Sequence, residues 1–223
     1  MLLYLIRHGE TQLNRERRLA GWTDVPLNEN GLKLAHVTGK ALATTHFDAA
    51  FSSPLIRAKE TARIILSHNT TGSTDLPITI DERLKEINFG SWEALSTAKN
   101  DNELPVSPEE YRNFFTNPRG YHPWIGGETV DDVIERTGDF LRDISSHTEL
   151  TDATVLVAMH GLSMRALLQH VYTDTSDFWH GRVPPNLAVN IVQAHGGTYT
   201  LLEDDIVYYD ESLIPDYYST LKR

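Results

Sequence analysis

The chain has 223 residues, of which 40% are hydrophobic and 23% are charged, as in an ordinary globular protein with a sizeable core. The formal net charge of -11 disfavours binding to nucleic acid or to an anionic membrane, and the absence of cysteine excludes disulfides and thiolate chemistry. The apolar residues 1–6 are too few for a signal peptide, and no run reaches membrane-spanning length. We therefore expect a cytoplasmic protein, with residues 1–223 forming one domain and with no nucleic-acid or membrane partner.

Strand-like apolar runs alternate with helical patterns along most of the chain. The strands are predicted at residues 2–6, 49–52, 77–80, 154–159, 188–192 and 198–202. Helices are predicted at about 31–43 with Asn28 as N-cap, from Ser53 and Pro54 to about 66, from Thr129 to about 146, and at 162–172. This alternation favours an α/β fold, a three-layer α/β/α sandwich around a mostly parallel central sheet. The last two strands are predicted to form a hairpin at one sheet edge, joined by residues 194–197.

Residues 96–127, here called the insertion, have a different composition. They are rich in Pro, Asn and Glu, and they carry several aromatic residues: Tyr111, Phe114, Phe115, Tyr121 and Trp124. A short helix is predicted to start at Ser107-Pro108-Glu109-Glu110. A long, partly irregular insertion of this kind is either a lid over a site or a surface excursion, and the sequence leaves both open.

Two of the strand-like runs end at a His-Gly pair, the first at His8 and the fourth at His160. Arg7 directly precedes His8, Arg57 follows the second strand and Glu86 follows the third. Because the carboxyl ends of parallel strands meet at one edge of a sheet, we expect these five side chains to converge. Arginine offers fork-shaped donors that suit phosphate, so the pattern predicts phosphoryl transfer through histidine.

Each of these residues also has an ordinary structural interpretation. A lone histidine at a strand end is usually a hydrogen-bonded structural residue, and for either His-Gly pair alone this is the better interpretation. An arginine that opens a helix, such as Arg57, usually forms a surface ion pair, and Glu86 alone would be a solvated loop carboxylate. Together, however, these residues follow four different strands and are all expected at one edge of the sheet. Such a coincidence is not expected of structural residues, so jointly they favour catalysis.

The motifs also occur in the order that is typical of one family. They are Arg7-His8-Gly9-Glu10-Thr11 with Asn14, Gly21-Trp22-Thr23-Asp24-Val25-Pro26-Leu27 with Gly31, Ser52-Ser53-Pro54-Leu55-Ile56-Arg57-Ala58-Lys59-Glu60-Thr61-Ala62, Leu84-Lys85-Glu86-Ile87-Asn88-Phe89-Gly90-Ser91-Trp92-Glu93, Gly126-Gly127-Glu128-Thr129 and His160-Gly161. Together they span nearly the whole chain. The chain resembles the histidine phosphatase superfamily, the phosphoglycerate mutase-like group, and within it the phosphatase branch.

The resemblance implies that His8 is the nucleophile that becomes phosphorylated and that Glu86 is the proton donor to the leaving group. It also implies that the phosphoryl oxygens are bound by Arg7, Arg57 and His160, with Asn14 as a neighbouring donor. The substrate-binding residues that it implies are Gly21, Trp22 and Gly161. Two guanidinium groups can neutralise the charge that develops in the transition state, so we expect no metal and no cofactor.

Two positions depart from the family pattern. Ala94 stands where the family commonly has glycine after Trp-Glu, so we expect the next turn of this loop to differ. Ala20 stands before Gly21, where mutases usually carry a hydroxyl residue. In addition, the insertion offers only three basic residues for a second phosphate, Lys99, Arg112 and Arg119.

The sequence therefore predicts a metal-independent phosphomonoester hydrolase that acts on small phosphorylated metabolites. The first alternative is a cofactor-dependent phosphoglycerate mutase, which would use the same residues to return the phosphoryl group to a substrate. The second is an inert family member that binds or regulates. Its mark would be the loss of His8, Arg57, Glu86 or His160, and all four are present.

Overall fold

The computed structural model describes residues 1–98, 101–122 and 125–214. Its strands are β1 Leu2–Arg7, β2 Ala49–Ser52, β3 Ile78–Ile80, β4 Thr97–Ala98, β5 Asp101–Asn102, β6 Thr154–Met159, β7 Val189–His195 and β8 Thr198–Ile206. Its α-helices are α1 Gln12–Arg15, α2 Glu29–Ala41, α3 Ile56–Ser67, α4 Pro108–Thr116, α5 Val130–Ser146 and α6 Gly161–Leu168. Among these described residues, no helix is long and apolar enough to cross a membrane.

The main sheet has six strands in the order β3-β2-β6-β1-β7-β8. β1, β2 and β3 all run in the direction of β6, whereas β7 is antiparallel to both of its neighbours. The prediction of a mostly parallel sheet is confirmed. The carboxyl ends of β1, β2, β3 and β6 therefore share one edge of the sheet, which is called the carboxyl edge below. β4 and β5 form a separate antiparallel pair within the insertion.

Alternating side chains along the central strands cover the two faces of the sheet. In β6, Val155 and Val157 pack on one face with α5 and α6, and Leu156 and Ala158 pack on the other face with α3. All four side chains are fully buried, and burying a valine or leucine side chain contributes about 1.5–3 kcal/mol. The sheet thus lies between two helical layers, as the alternation of strands and helices predicted.

The helix boundaries follow local capping. Asn28 caps α2 by accepting a hydrogen bond from the Gly31 amide at 2.8 Å, as predicted. α3 begins at Ile56 rather than at Ser53, because Leu55 has extended backbone and is the N-cap. α6 is shorter than predicted and ends at Leu168.

The hairpin between β7 and β8 is present at the sheet edge, but its turn is shorter than predicted. His195 still pairs with Thr198 across the two strands, so only Gly196 and Gly197 form the turn. Their φ angles of 57° and 80° lie in the region that favours glycine.

The insertion packs on the loop that follows β3. Leu104, Phe114 and Tyr121 are buried in a cluster with Phe89 and Trp92 of that loop. Lys99 and Trp124 lie outside the described residues. That the insertion acts as a lid, and that residues 1–223 form one domain, stay predictions.

Candidate active site

The carboxyl edge brings the two His-Gly turns together. The ring centroids of His8 and His160 lie 5.0 Å apart, and both side chains are buried. Arg7, Arg57 and Glu86, which the sequence placed at the same edge, are also buried there. Buried charged groups need partners, so the contacts of these residues define the site.

His8 is held in one tautomer. Its Nδ1 lies 2.7 Å from the Gly9 carbonyl oxygen, which can only accept, so Nδ1 carries the proton. Nε2 then presents its lone pair and accepts a hydrogen bond from Nε of Arg57 at 3.3 Å. Burial, and then the charges of Arg57 and Arg7, hold the pKa of His8 well below its ordinary value of 6.5. The ring is therefore neutral at physiological pH, with Nε2 available as a nucleophile.

Arg57 is fully buried on the first turn of α3, and three backbone carbonyls hold it. Nη1 donates to Thr23 at 2.9 Å, and Nη2 donates to Ala20 at 3.1 Å and to Gly21 at 2.6 Å. Burial lowers the pKa of Arg57 to about 10, against the opposing charge of Glu86, so the guanidinium is still cationic at neutral pH.

The hydroxyl of Thr61 connects α3 to the first His-Gly turn. It accepts from the Gly9 amide at 3.1 Å and donates to the Arg57 carbonyl at 2.7 Å. One buried side chain thus fixes the backbone of both turns that carry His8 and Arg57.

Arg7 precedes His8 in the chain and donates through Nη1 to the carbonyl of Pro184. The side-chain amide of Asn186 donates through Nδ2 to the His8 carbonyl at 3.1 Å and to Oδ1 of Asn14 at 3.4 Å. The segment before β7 therefore supports both Arg7 and the first His-Gly turn.

Asn14 and Gly161 have local structural roles that the structure makes visible. Asn14 accepts from the Thr11 amide at 3.1 Å in the capping box of α1. A Cβ on Gly161 would lie 3.3 Å from Nε of Arg7, so glycine lets the guanidinium approach the start of α6. Their roles in substrate binding stay predictions.

His160 is also buried and neutral. Its Nε2 lies 2.8 Å from the Ser53 hydroxyl, and its Nδ1 has no hydrogen-bond partner among the described residues. Burial, and then the charge of Arg57, hold its pKa well below 6.5. An unpartnered buried nitrogen beside His8 can serve as a hydrogen-bonding group for a bound phosphoryl oxygen.

Glu86 lies at the amino end of α6. Its Oε1 accepts from the amides of Ile87 at 3.0 Å and Ser163 at 2.9 Å, and Oε2 accepts from Leu162 at 3.1 Å. These amides fix the carboxyl group beside the second His-Gly turn.

Arg136, on α5, holds the backbone of the Glu86 segment. It donates to the carbonyls of Arg83 and Lys85 at 2.7 Å each and to the carbonyl of Glu86 at 3.0 Å, and it forms an ion pair with Glu128 at 2.9 Å. The position of the candidate acid thus depends on α5 as well as on α6.

Gly21 and Trp22 lie in the segment that holds Arg57. A Cβ on Gly21 would lie 2.2 Å from Oε1 of Glu93 and from the Ile87 carbonyl oxygen, so only glycine fits there. Trp22 is 41% exposed and donates through Nε1 to the Glu86 carbonyl at 2.9 Å. Nζ of Lys85 lies 4.2 Å from the centroid of the Trp22 ring. The roles of Gly21 and Trp22 in substrate binding stay predictions.

Five residues that the sequence did not single out contribute to the site: Ser53, Thr61, Glu93, Arg136 and Asn186. The first three lie within the family motifs, which could have drawn attention to them. Arg136 resembles a solvent-facing helical charge, and Asn186 lies in a segment with no recognisable pattern. In residues 1–98, 101–122 and 125–214, no group of three or more His, Cys, Asp or Glu side chains is placed to hold a metal ion.

The fold and the site define a class of α/β proteins in which histidines and arginines gather at one sheet edge. A model of the histidine phosphatase superfamily (branch 1) matches residues 3–205. The chain belongs to this superfamily, and the resemblance of its motifs is confirmed.

The comparisons include both mutases and phosphatases. A 2,3-bisphosphoglycerate-dependent phosphoglycerate mutase of Gloeobacter violaceus is 32% identical over 76% of this chain and 75% of its own length. The structure of YhfR from Bacillus stearothermophilus is 34% identical, with a TM-score of 0.78 over 93% of this chain and 98% of that protein. A mycobacterial glucosyl-3-phosphoglycerate phosphatase is 27% identical, with a TM-score of 0.74 over 90% of this chain and 96% of that protein.

Proposed function

We propose that the protein is a metal-independent phosphomonoester hydrolase that acts on small phosphorylated metabolites through a phosphohistidine at His8. The observation that carries the proposal is the state of the His8 ring. Its Nδ1–H is bound to the Gly9 carbonyl, and its Nε2 lone pair faces the Arg57 guanidinium at 3.3 Å. A neutral nitrogen nucleophile beside a fixed cation is suited to attack on a phosphoryl group.

In the first step, Nε2 of His8 forms a bond to phosphorus as the bond from phosphorus to the ester oxygen breaks. The leaving oxygen takes a proton from the Glu86 carboxyl group. In the second step, water attacks phosphorus and gives a proton to the Glu86 carboxylate, and the bond from phosphorus to Nε2 breaks. Arg7, Arg57 and His160 bind the phosphoryl oxygens in both steps, and the arginines supply the positive charge that a metal would otherwise bring.

The composition of the insertion supports hydrolysis over return of the phosphoryl group to a substrate. A mutase must bind a bisphosphate and shield the phosphohistidine from water. Arg112 and Arg119 are exposed, and Arg119 pairs with Asp131 at 3.4 Å. The insertion buries apolar side chains such as Phe114 and Tyr121 on the loop after β3. With few cations in the insertion to hold a second phosphate, we expect the phosphoryl group to pass to water rather than back to a substrate.

Phosphoglycerate mutase is the second candidate, because the relative from Gloeobacter violaceus carries that name. The mycobacterial structural relative is named a glucosyl-3-phosphoglycerate phosphatase, which supports the first candidate. The same site residues serve both reactions, so the fate of the phosphohistidine separates them.

The deciding experiment incubates the enzyme with 3-phosphoglycerate, with and without catalytic 2,3-bisphosphoglycerate, and measures both 2-phosphoglycerate and free phosphate. A parallel panel of phosphorylated metabolites is scored for phosphate release. We expect phosphate release from members of the panel and little isomerisation. Rapid isomerisation with negligible phosphate would assign mutase activity, and no turnover of any substrate would assign the inert alternative.

A further inference from the structure

Glu93 lies in the same loop as Glu86 and accepts five hydrogen bonds. Four come from the segment at residues 20–23: the Gly21 amide at 3.2 Å, the Trp22 amide at 2.7 Å, the Thr23 amide at 3.0 Å and the Thr23 hydroxyl at 2.5 Å. The fifth comes from the Phe89 amide at 3.1 Å. A carboxylate that accepts this many donors holds the surrounding backbone in one arrangement.

The segment that Glu93 binds is also the segment that holds Arg57. In a trans peptide unit the N–H and C=O groups point in opposite directions. The unit between Ala20 and Gly21 donates its N–H to Glu93 at 3.2 Å and accepts from Arg57 at 3.1 Å. The unit between Gly21 and Trp22 donates to Glu93 at 2.7 Å and accepts from Arg57 at 2.6 Å. Two peptide units therefore connect the Glu93 carboxylate to the Arg57 guanidinium.

Arg57 in turn contacts the candidate nucleophile. Three of its five N–H groups are bound by the carbonyls of this segment, and its Nε–H donates to Nε2 of His8 at 3.3 Å. The packing here is tight, because a Cβ on Gly21 would overlap Oε1 of Glu93. A change at Glu93 thus rotates or releases the peptide units that orient Arg57.

We infer that Glu93 is a positioning residue, which fixes the direction of the Arg57 guanidinium at the phosphoryl site through these two peptide units. The inference rests on the proposed function of the site at His8 and Arg57. Glu93 acts on the binding of phosphoryl oxygens and takes no part in proton transfer to the leaving group. Its loss should therefore have a kinetic signature different from that of Glu86.

The test compares the full-length wild type with Glu93→Gln and, as a matched control, Glu103→Gln. Glu103 is an exposed carboxylate that binds Arg18 at 2.8 Å and the Ser96 amide at 2.9 Å. The measurements are the calorimetric Kd of vanadate, kcat/KM for p-nitrophenyl phosphate and for an alkyl phosphate, and Tm. Glutamine at position 93 turns an NH2 group toward the backbone donors, which breaks part of their hydrogen bonding and loosens the hold on Arg57. We therefore expect the Kd of vanadate to rise about tenfold or more. In Glu93→Gln, kcat/KM for both substrates should fall by the same factor. Glu103→Gln should resemble the wild type in all of these measurements.

Two results would overturn the inference: an unchanged vanadate Kd in folded Glu93→Gln, or a loss confined to the alkyl phosphate. If Glu93→Gln does not fold, Thr23→Val removes only the hydroxyl donor and should weaken vanadate binding in the same direction by a smaller factor. No change in Thr23→Val would then contradict the inference. If the wild type binds vanadate but hydrolyses no phosphomonoester, the proposed function fails, whereas weaker vanadate binding by Glu93→Gln would still support the role of Glu93.

Discussion

Nε of Arg57 donates a hydrogen bond to Nε2 of His8 at 3.3 Å. A buried cation thus contacts the nitrogen that is proposed to attack phosphorus. Burial, and then the charges of Arg57 and Arg7, hold the pKa of His8 low, so the lone pair stays unprotonated. Once Nε2 bonds to phosphorus it can no longer accept a hydrogen bond, and the Nε–H of Arg57 becomes available to a phosphoryl oxygen. In the proposed mechanism, the same N–H group of Arg57 thus binds His8 in the free site and a phosphoryl oxygen in the phosphorylated one.

The covalent intermediate is the first prediction. Rapid quenching of a single turnover with labelled substrate should leave label on the protein in alkali and lose it in acid, because a phosphohistidine is acid-labile. His8→Ala should retain no label and less than about a thousandth of the wild-type rate. The exposed His147 offers a control, since His147→Ala should label like the wild type. Substantial activity in His8→Ala would exclude this mechanism.

The second prediction separates proton transfer from phosphoryl binding. Glu86→Gln nearly keeps the shape of the side chain and removes the acidic proton. Its amide oxygen can still accept from the Ile87 and Ser163 amides, so among these backbone bonds only the one from the Leu162 amide is lost. Turnover of an alkyl phosphate should fall about 100-fold or more. Turnover of p-nitrophenyl phosphate should fall less than about tenfold, because its leaving group hardly needs a proton. Steady-state kcat for the two substrates is the measurement. Equal losses would assign the acid to another residue.

The elements and the site residues were predictable to different degrees. The six strands of the main sheet, the N-cap at Asn28 and the gathering of His8 and His160 follow from local pattern and from the rule that parallel strands share one edge. The short strands β4 and β5 were not predicted. The support of Arg7 by Pro184 could not be predicted, because it joins residues far apart in sequence through a backbone carbonyl. Glu93 stands in a visible motif, but its partners depend on how the segment at 20–23 folds against it.

The third prediction concerns stability against pH. The folded-state pKa values of His8 and His160 lie well below 6.5, so below about pH 6.5 the unfolded chain binds protons that the folded chain does not. Their contribution to stability is therefore complete above pH 6.5 and is lost as the pH falls, by up to about 1.4 kcal/mol per pH unit for each histidine. Urea unfolding at pH 7.5, 6.0 and 5.0 measures this slope. The double variant with His8→Gln and His160→Gln should flatten it, and an unchanged slope would contradict the assignment.

Metal independence is the fourth prediction, and it follows from the charge that Arg7 and Arg57 supply at the site. Activity after exhaustive treatment with EDTA should equal that of the untreated enzyme. Vanadate, which can mimic the five-coordinate transition state, should inhibit in the presence of EDTA. Loss of activity in EDTA with recovery in magnesium or zinc would show that a metal takes part.

The last prediction tests the departure from the family pattern at Ala94. Ala94 has a φ of 62°, in the left-handed region that favours glycine. Hydrogen bonds hold this backbone on both sides, because the Ala94 amide donates to the Leu19 carbonyl at 2.9 Å and the Ala94 carbonyl accepts from Arg18 at 2.9 Å. A left-handed alanine costs about 1–2 kcal/mol, which the greater freedom of glycine in the unfolded chain offsets in part.

Ala94→Gly should therefore raise the free energy of unfolding by about 1 kcal/mol, which corresponds to about 2–4 °C in Tm for a chain of this size. Ala41→Gly is the matched control. Ala41 is the last residue of α2, where glycine should lower Tm because it is a poor helix former. Because Ala94→Gly relieves strain without moving Glu93, kcat/KM should stay at the wild-type value. A lower Tm in Ala94→Gly would mean that the turn beside Glu93 is not left-handed in solution.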